Sequence, residues 1–218
     1  SIGYANNNAF FVSSFSANLP LGITTSENGD FLITHVNYDR VANVTSGGSE
    51  NWNSTGSSLS GPTGIAVNST GYIYVADTGN DRIKILTPLG AFSSNFGTQG
   101  SGNGQFLTPM GIAIDSSDNI YVADTGNDRI TKHNKDGSFI EAFGSFGTGD
   151  ASFDGPAGVF VFNTDNIYTA DTGNDRIKKH DPGIRSLTES LSLSDAVSVI
   201  KSGSISLSES LPLSDTLN

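Results

Sequence analysis

Three aspartates, Asp77, Asp124 and Asp171, stand 47 residues apart, each at the head of the same hexapeptide D-T-G-N-D-R. The repeated set is Asp77, Gly79, Asn80 and Arg82, then Asp124, Gly126, Asn127 and Arg129, then Asp171, Gly173, Asn174 and Arg176. Two chemistries fit this pattern. Three carboxylates could converge on one metal ion, or each could accept backbone N–H groups in its own turn while each arginine pairs with a carboxylate or packs between units. Identity across copies favours the second, because a site needs different residues in different roles and a part used in every unit needs the same ones. A ligand site is then expected where the copies differ, in the segments Gly47 to Ser60, Thr98 to Gln105 and Thr148 to Phe153.

Three histidines raise the question of zinc. His133 and His180 occupy equivalent places at the end of a third strand, and His35 replaces the first Asp in a degenerate upstream copy, so the three cannot meet at one ion. They are expected to be solvent-exposed or packed at blade edges. Asp150 and Asp154 in TGDASFD could give oxygen ligands to calcium, which is the one candidate ion. No G-x-S-x-G elbow, H-E-x-x-H helix or P-loop is present, and GSGNG at Gly100 to Gly104 lacks the strand and helix of a phosphate loop. The expectation is no catalytic residue and no cofactor.

The elements that position these residues follow from the same period. GIAV, NIYVAD and DRIKIL are short runs rich in Ile, Val and Tyr, separated by turn formers, and GAFSSNF adds a fourth strand. Within DTGNDR, Gly and Asn are expected to take the positive-φ conformations of the turn. A fourth, degenerate unit lies upstream, where PLGITT at Pro20 to Thr25 matches PTGIAV and FLITHVNYDRV at Phe31 to Val41 matches IYVADTGNDRI. Four antiparallel strands every 40 to 50 residues predict an all-β propeller with one blade per unit.

These units resemble NHL repeats, whose blades read roughly P-x-G-I-A-V-D, then N-I-Y-V-A-D-T-G-N-D-R-I, then G-x-F. The resemblance implies a β-propeller, most often six-bladed. The propeller is assigned to residues 1–182, with four blades. NAFFVSSF near the N-terminus repeats the Phe spacing of the outer strands, so residues 8–16 read as the outer strand of a closing or preceding blade. The chain reads either as a closed four-bladed ring or as a piece of a larger one, the second being favoured.

After Pro182 the composition changes. Residues 183–218 form a second repeat system, in which LTESLSLSD returns 20 residues later as LSESLPLSD. Leucine alternates with serine at period two, which favours extended chain over helix. The tract resembles Ser/Leu/Asp repeats of large archaeal cell-surface proteins and reads as a stalk or linker.

Composition narrows the function. The 218 residues carry a formal charge of −11, with basic residues scattered among the repeats, which disfavours nucleic acid and anionic membranes. No apolar run is long enough to insert in a bilayer, and cysteine is absent. Sequons at Asn43, Asn53 and Asn68 permit glycosylation in a secreted setting. The resulting expectation is a non-enzymatic binding or scaffold module, extracellular or on the cell surface, whose loops contact a protein or glycan partner. The alternative, implied by resemblance to enzymatic propellers, is a metal-dependent lyase or lactonase with an axial site. Oligomeric state is not set by the sequence.

Overall fold

A computed structural model of the chain describes residues 20–54, 58–163 and 166–180. The strand expected at 8–16 and the repeat tract at 183–218 lie outside the described residues.

Each unit forms one antiparallel sheet in chain order. The first blade comprises β1 (Pro20–Thr25), β2 (Phe31–His35), β3 (Arg40–Val44) and β4 (Glu50–Asn53). The second comprises β5 (Pro62–Val67), β6 (Ile73–Asp77), β7 (Arg82–Leu86) and β8 (Phe92–Phe96). The third comprises β9 (Pro109–Ile114), β10 (Ile120–Asp124), β11 (Arg129–His133) and β12 (Phe139–Phe143). The fourth shows β13 (Pro156–Asn163), β14 (Asn166–Asp171) and β15 (Arg176–His180). The result is an all-β, four-bladed propeller, as the period predicts.

Blades stack in sequence through their first strands, β1 on β5, β5 on β9 and β9 on β13. Each seam is an apolar layer. Ile65 of the second blade joins Leu32 and Val41 of the first, and Ile112, Ile120 and Val122 of the third meet Tyr74, Ala76 and Ile83 of the second. Tyr121 and Ile130 likewise bury against Ile167 of the fourth. The fourth blade presents the same positions outward. Tyr168 and Ile177 are 38% and 70% exposed, where Tyr121 and Ile130 are fully enclosed.

The first strands can approach so closely because each carries glycine at its centre. A β-carbon on Gly64 would lie 2.4 Å from the Met110 carbonyl oxygen, and one on Gly111 would lie 2.7 Å from that of Ala157. Both obstacles are backbone, which cannot swing aside. This explains the repeated G-I-A pattern at the level of packing rather than of turn geometry.

The hexapeptide turn differs from expectation. Thr78–Asn80 form a single 3₁₀ turn, and the left-handed residue is Asp81, with φ 50°, as it is Asp39, Asp128 and Asp175 in the other blades. Gly79 is required for a different reason: its N–H donates to the Ser60 carbonyl at 2.9 Å, and a side chain there would strike Ser60. Aspartate tolerates the left-handed region better than most residues, and here its carboxylate is used as well.

Gly111→Ala is expected to lower stability by about 1–3 kcal/mol through overpacking of the third and fourth first strands. Chemical unfolding of the variant beside wild type measures this.

Candidate functional site

The propeller has two faces of different character. The hexapeptide turns and the loops linking one blade to the next share one face, and the turns joining first to second and third to fourth strands share the other.

On the hexapeptide face, each repeated Asp is fully buried and surrounded by donors. Asp77 accepts the backbone N–H of Ser60 at 2.7 Å, the amide of Asn80 at 2.9 Å and Nε of Arg82 at 2.7 Å. Asp124 takes the same bonds from Leu107, Asn127 and Arg129, and Asp171 from Asp154, Asn174 and Arg176. The arginine fork then reaches the carbonyls of the preceding inter-blade loop. Arg129 donates to Ser101, Gly102 and Gln105, and Arg176 to Thr148, Gly149 and Ser152. The segments 98–105 and 148–153 are thus receptors for arginine.

In the first three blades the Asp that closes this turn ties down the loop on the other side. Asp39, Asp81 and Asp128 accept the backbone N–H of Gly61, Thr108 and Gly155, at 2.7, 2.7 and 2.8 Å. Thr78 and Thr125 add bonds from their hydroxyls to the carbonyls of Pro109 and Pro156. The hexapeptides of the second and third blades therefore each clamp the loop before and the loop after, and that of the fourth holds the loop before it. Burial raises the Asp124 carboxyl against the pull of its donors. At Asp171 burial acts in the same sense, but Asp154 N–H, Arg176 and Asn174 together outweigh it and hold the carboxyl low.

The first blade breaks the clamp. His35 occupies the Asp position, and both its ring nitrogens, with Nε of Arg40, are buried without a hydrogen-bond partner among the described residues. Arg40 turns instead to Glu50, in a bidentate pair at 2.8 and 3.1 Å.

The other histidines sit at seams. His180 stacks on Phe143 at 3.9 Å, whereas His133 is fully enclosed by Phe96, Phe106 and Phe139 rather than exposed. Its Nδ1 donates to the Gly137 carbonyl, so Nε2 is left to accept from Thr131. Asp150 and Asp154 lie in a loop whose Thr148, Gly149, Asp150 and Ser152 carbonyls already receive Arg176 and Lys178. Among the described residues no three His, Asp or Glu side chains gather as a metal site.

On the opposite face the blades are joined differently at each seam. Between the second and third, Ser69 donates from its backbone N–H and its hydroxyl to Asp118, at 2.9 and 2.7 Å, and the Tyr74 hydroxyl reaches the Lys135 carbonyl at 2.9 Å. The corresponding residues between the first and second are Glu27, Gly71, Leu32 and Pro88, which can make neither bond. Their seam opens as a cleft of about 280 Å³. Leu32 and Ile73 form its floor, Asn43, Asn51, Trp52 and Asp30 one wall, and Pro88 and Leu89 the other.

That wall is ordered. Asn51 Nδ2 donates both to Asp30 at 3.1 Å and to Asn43 Oδ1 at 3.0 Å. Trp52 lies against Gly90, where a β-carbon would come within 2.3 Å of the indole. Of the sequon asparagines, Asn43 is thus buried in the cleft wall and Asn68 caps its own turn through Oδ1. The sequence marks Gly47 to Ser60 as variable and Asn43 as a sequon, but no motif in it points to Trp52 and Asn51 or joins them to Asn43. Aligning the blades shows the signal, since Tyr74, Tyr121 and Tyr168 share a column in which the first blade has Leu32.

Residues 59–209 match DUF5128, described as a 6-bladed β-propeller. The chain belongs to this family. Among solved structures, it is similar to a streptogramin B lyase, with 20% identity and a TM-score of 0.61, over 79% of this chain and 55% of the other. It is similar also to a structure of the nidogen/laminin complex, with 20% identity and a TM-score of 0.62, over 77% and 62%. A protein of unknown function from Bacteroides thetaiotaomicron matches at 14% identity and a TM-score of 0.62, over 74% and 47%. The chain thus spans about half to three-fifths of the length of these structures. At these identities the likeness shows the fold. No curated protein matches the sequence.

Burial pushes the His133 imidazole down to about 4 from its ordinary 6.5. A depressed folded-state value means that the contribution is complete above about 6.5 and is lost as pH falls towards 4, where the unfolded chain takes up the proton first. Unfolding free energy is expected to fall across this window, and His133→Gln to flatten the slope in denaturant titrations at each pH.

Proposed function

We propose that the chain is a non-enzymatic binding scaffold of a secreted or surface protein, built from NHL-type blades, with its free loops contacting a protein or glycan partner. The observation that carries this reading is the division of labour between the two faces. The repeated Asp, Asn and Arg groups are consumed in holding blades together, so they are not available to a ligand. The opposite face carries a seam at which the first blade departs from the repeat and leaves an ordered polar cleft. Function on a propeller resides in such departures from the common frame.

The space along the axis supports the same reading. It is lined by Leu21, Ile23, Ile65, Met110, Ile112 and Val159 with glycines between them, an aliphatic surface without a titratable group among the described residues. A lyase-type axial centre would need ligands there. The nidogen/laminin structure is a precedent for a propeller of this fold in a protein complex. The acidic balance of the chain speaks against nucleic acid, and no helix among the described residues is long and apolar enough to cross a membrane.

Metal analysis of the purified chain, with thermal unfolding in the presence and absence of chelator, tests the reading. Substoichiometric metal and an unchanged midpoint are expected. A stoichiometric metal whose removal lowers the midpoint would establish a native-state metal site and favour the enzyme reading.

A further inference from the structure

The cleft between the first and second blades has the chemistry of a sugar site, and we propose that it binds a neutral saccharide, one ring deep. The inference rests on the binding-module reading and specifies its ligand.

Size comes first. A volume of about 280 Å³ falls just below the range of roughly 300–1,000 Å³ that holds drug-sized ligands. It suits a single ring, with any further residues of a glycan lying outside along Leu89, which is 80% exposed at the rim.

Polar order comes next. Asn51 spends its Nδ2 on Asp30 and Asn43, so its Oδ1 is left to accept. Asn43 accepts through Oδ1, so its Nδ2 is left to donate, and it makes no bond among the described residues. Donor and acceptor therefore stand side by side on one wall, held by Asp30 behind them. Adjacent hydroxyls of a pyranose each donate and accept, and a fixed donor–acceptor pair satisfies two of them at once. The asparagines lose little freedom on binding because they are already oriented.

Trp52 supplies the apolar half. Its indole is pinned against Gly90 and packs with the core of the first seam. A sugar ring has an axial face of C–H groups, which pack on an indole, and an equatorial edge of hydroxyls, which meet the amides. Glu27 and Asp30 are the charged residues of the cleft, and no basic residue lines it. Their sign excludes uronates and other acidic sugars and leaves neutral ones.

In the second seam Phe96 packs on Gly137 as Trp52 packs on Gly90, but the cleft itself is absent. Tyr74 fills its place, and Ile85 and Ser94 stand where the first blade has Asn43 and Trp52. The cleft is thus made by coordinated replacements on the two blades that flank the first seam.

Trp52 is the single tryptophan of the chain, so its emission reports on the cleft directly. The full chain is titrated with methyl glycosides of glucose, galactose, mannose and N-acetylglucosamine, and in parallel with glucuronate, lysine methyl ester and calcium chloride. A saturable emission change with at least one neutral glycoside is expected, with no change from glucuronate. Asn51→Ala, which keeps the reporter and lies on an exposed edge strand, is expected to weaken that affinity by about tenfold while still unfolding cooperatively, at a lowered midpoint because the buried Asn43 Oδ1 loses its donor. No response to any neutral glycoside overturns the saccharide assignment, as does a response confined to lysine methyl ester or to calcium. In that case the binding-module reading is judged separately, by the metal and chelator experiment. Equal affinity in Asn51→Ala would also overturn the assignment, since the amide wall would not be the recognising element.

Discussion

Everything in this propeller hangs on a buried carboxylate that would be costly if left alone. Asp77, Asp124 and Asp171 are removed from water altogether, and a naked charge in that position would destabilise the fold by several kcal/mol. Each is tolerated because three donors converge on it: a loop N–H, a side-chain amide three residues on in the same turn and an arginine Nε. The cost of burial thus becomes a geometric condition, satisfied only when the loop, the hexapeptide and the next strand are all in place. The arginine extends that condition to the carbonyls of the loop, and the second Asp of the hexapeptide extends it to the following blade. Glycine at the centre of each first strand then lets the blades close up to backbone contact.

The repeat is consequently rigid on one face and free to vary on the other. Between the second and third blades, Ser69, Asp118 and Tyr74 close the far side of the seam. Between the first and second, none of these three is present. The same blade that loses the clamp Asp to His35 also loses the seam-filling tyrosine to Leu32, and it gains Trp52, Asn51 and Asn43. A blade released from part of the repeat's demands carries the chemistry that the other blades cannot.

Much of this was legible in the sequence, for reasons that the structure makes explicit. The 47-residue period sets the number of blades, and alternation of Ile, Val and Tyr with turn formers marks the strands, because both follow from local pattern. The turn was legible only in part: glycine in DTGNDR suggested a left-handed residue, but the left-handed place belongs to Asp81, and Gly79 is set by the approach of Ser60, a contact 19 residues away in the chain. His133 is expected at an edge and is enclosed, since Phe106 from the inter-blade loop before its blade closes over it. The cleft was beyond a linear reading altogether. It arises from four substitutions on two blades, each ordinary alone, which become a site only when the seam brings them together.

Residue-resolved amide hydrogen exchange at Ser60, Leu107 and Asp154 tests the clamp most directly. These three N–H groups lie in loops, outside every sheet ladder, and donate to the buried carboxylates at 2.7 to 2.8 Å. If the carboxylates hold the blades together, these amides exchange as slowly as those in the central strands of their blades, opening only with the whole propeller. Exchange at the rate of ordinary surface loops would contradict the account, and would mean that the seams are held by apolar packing alone.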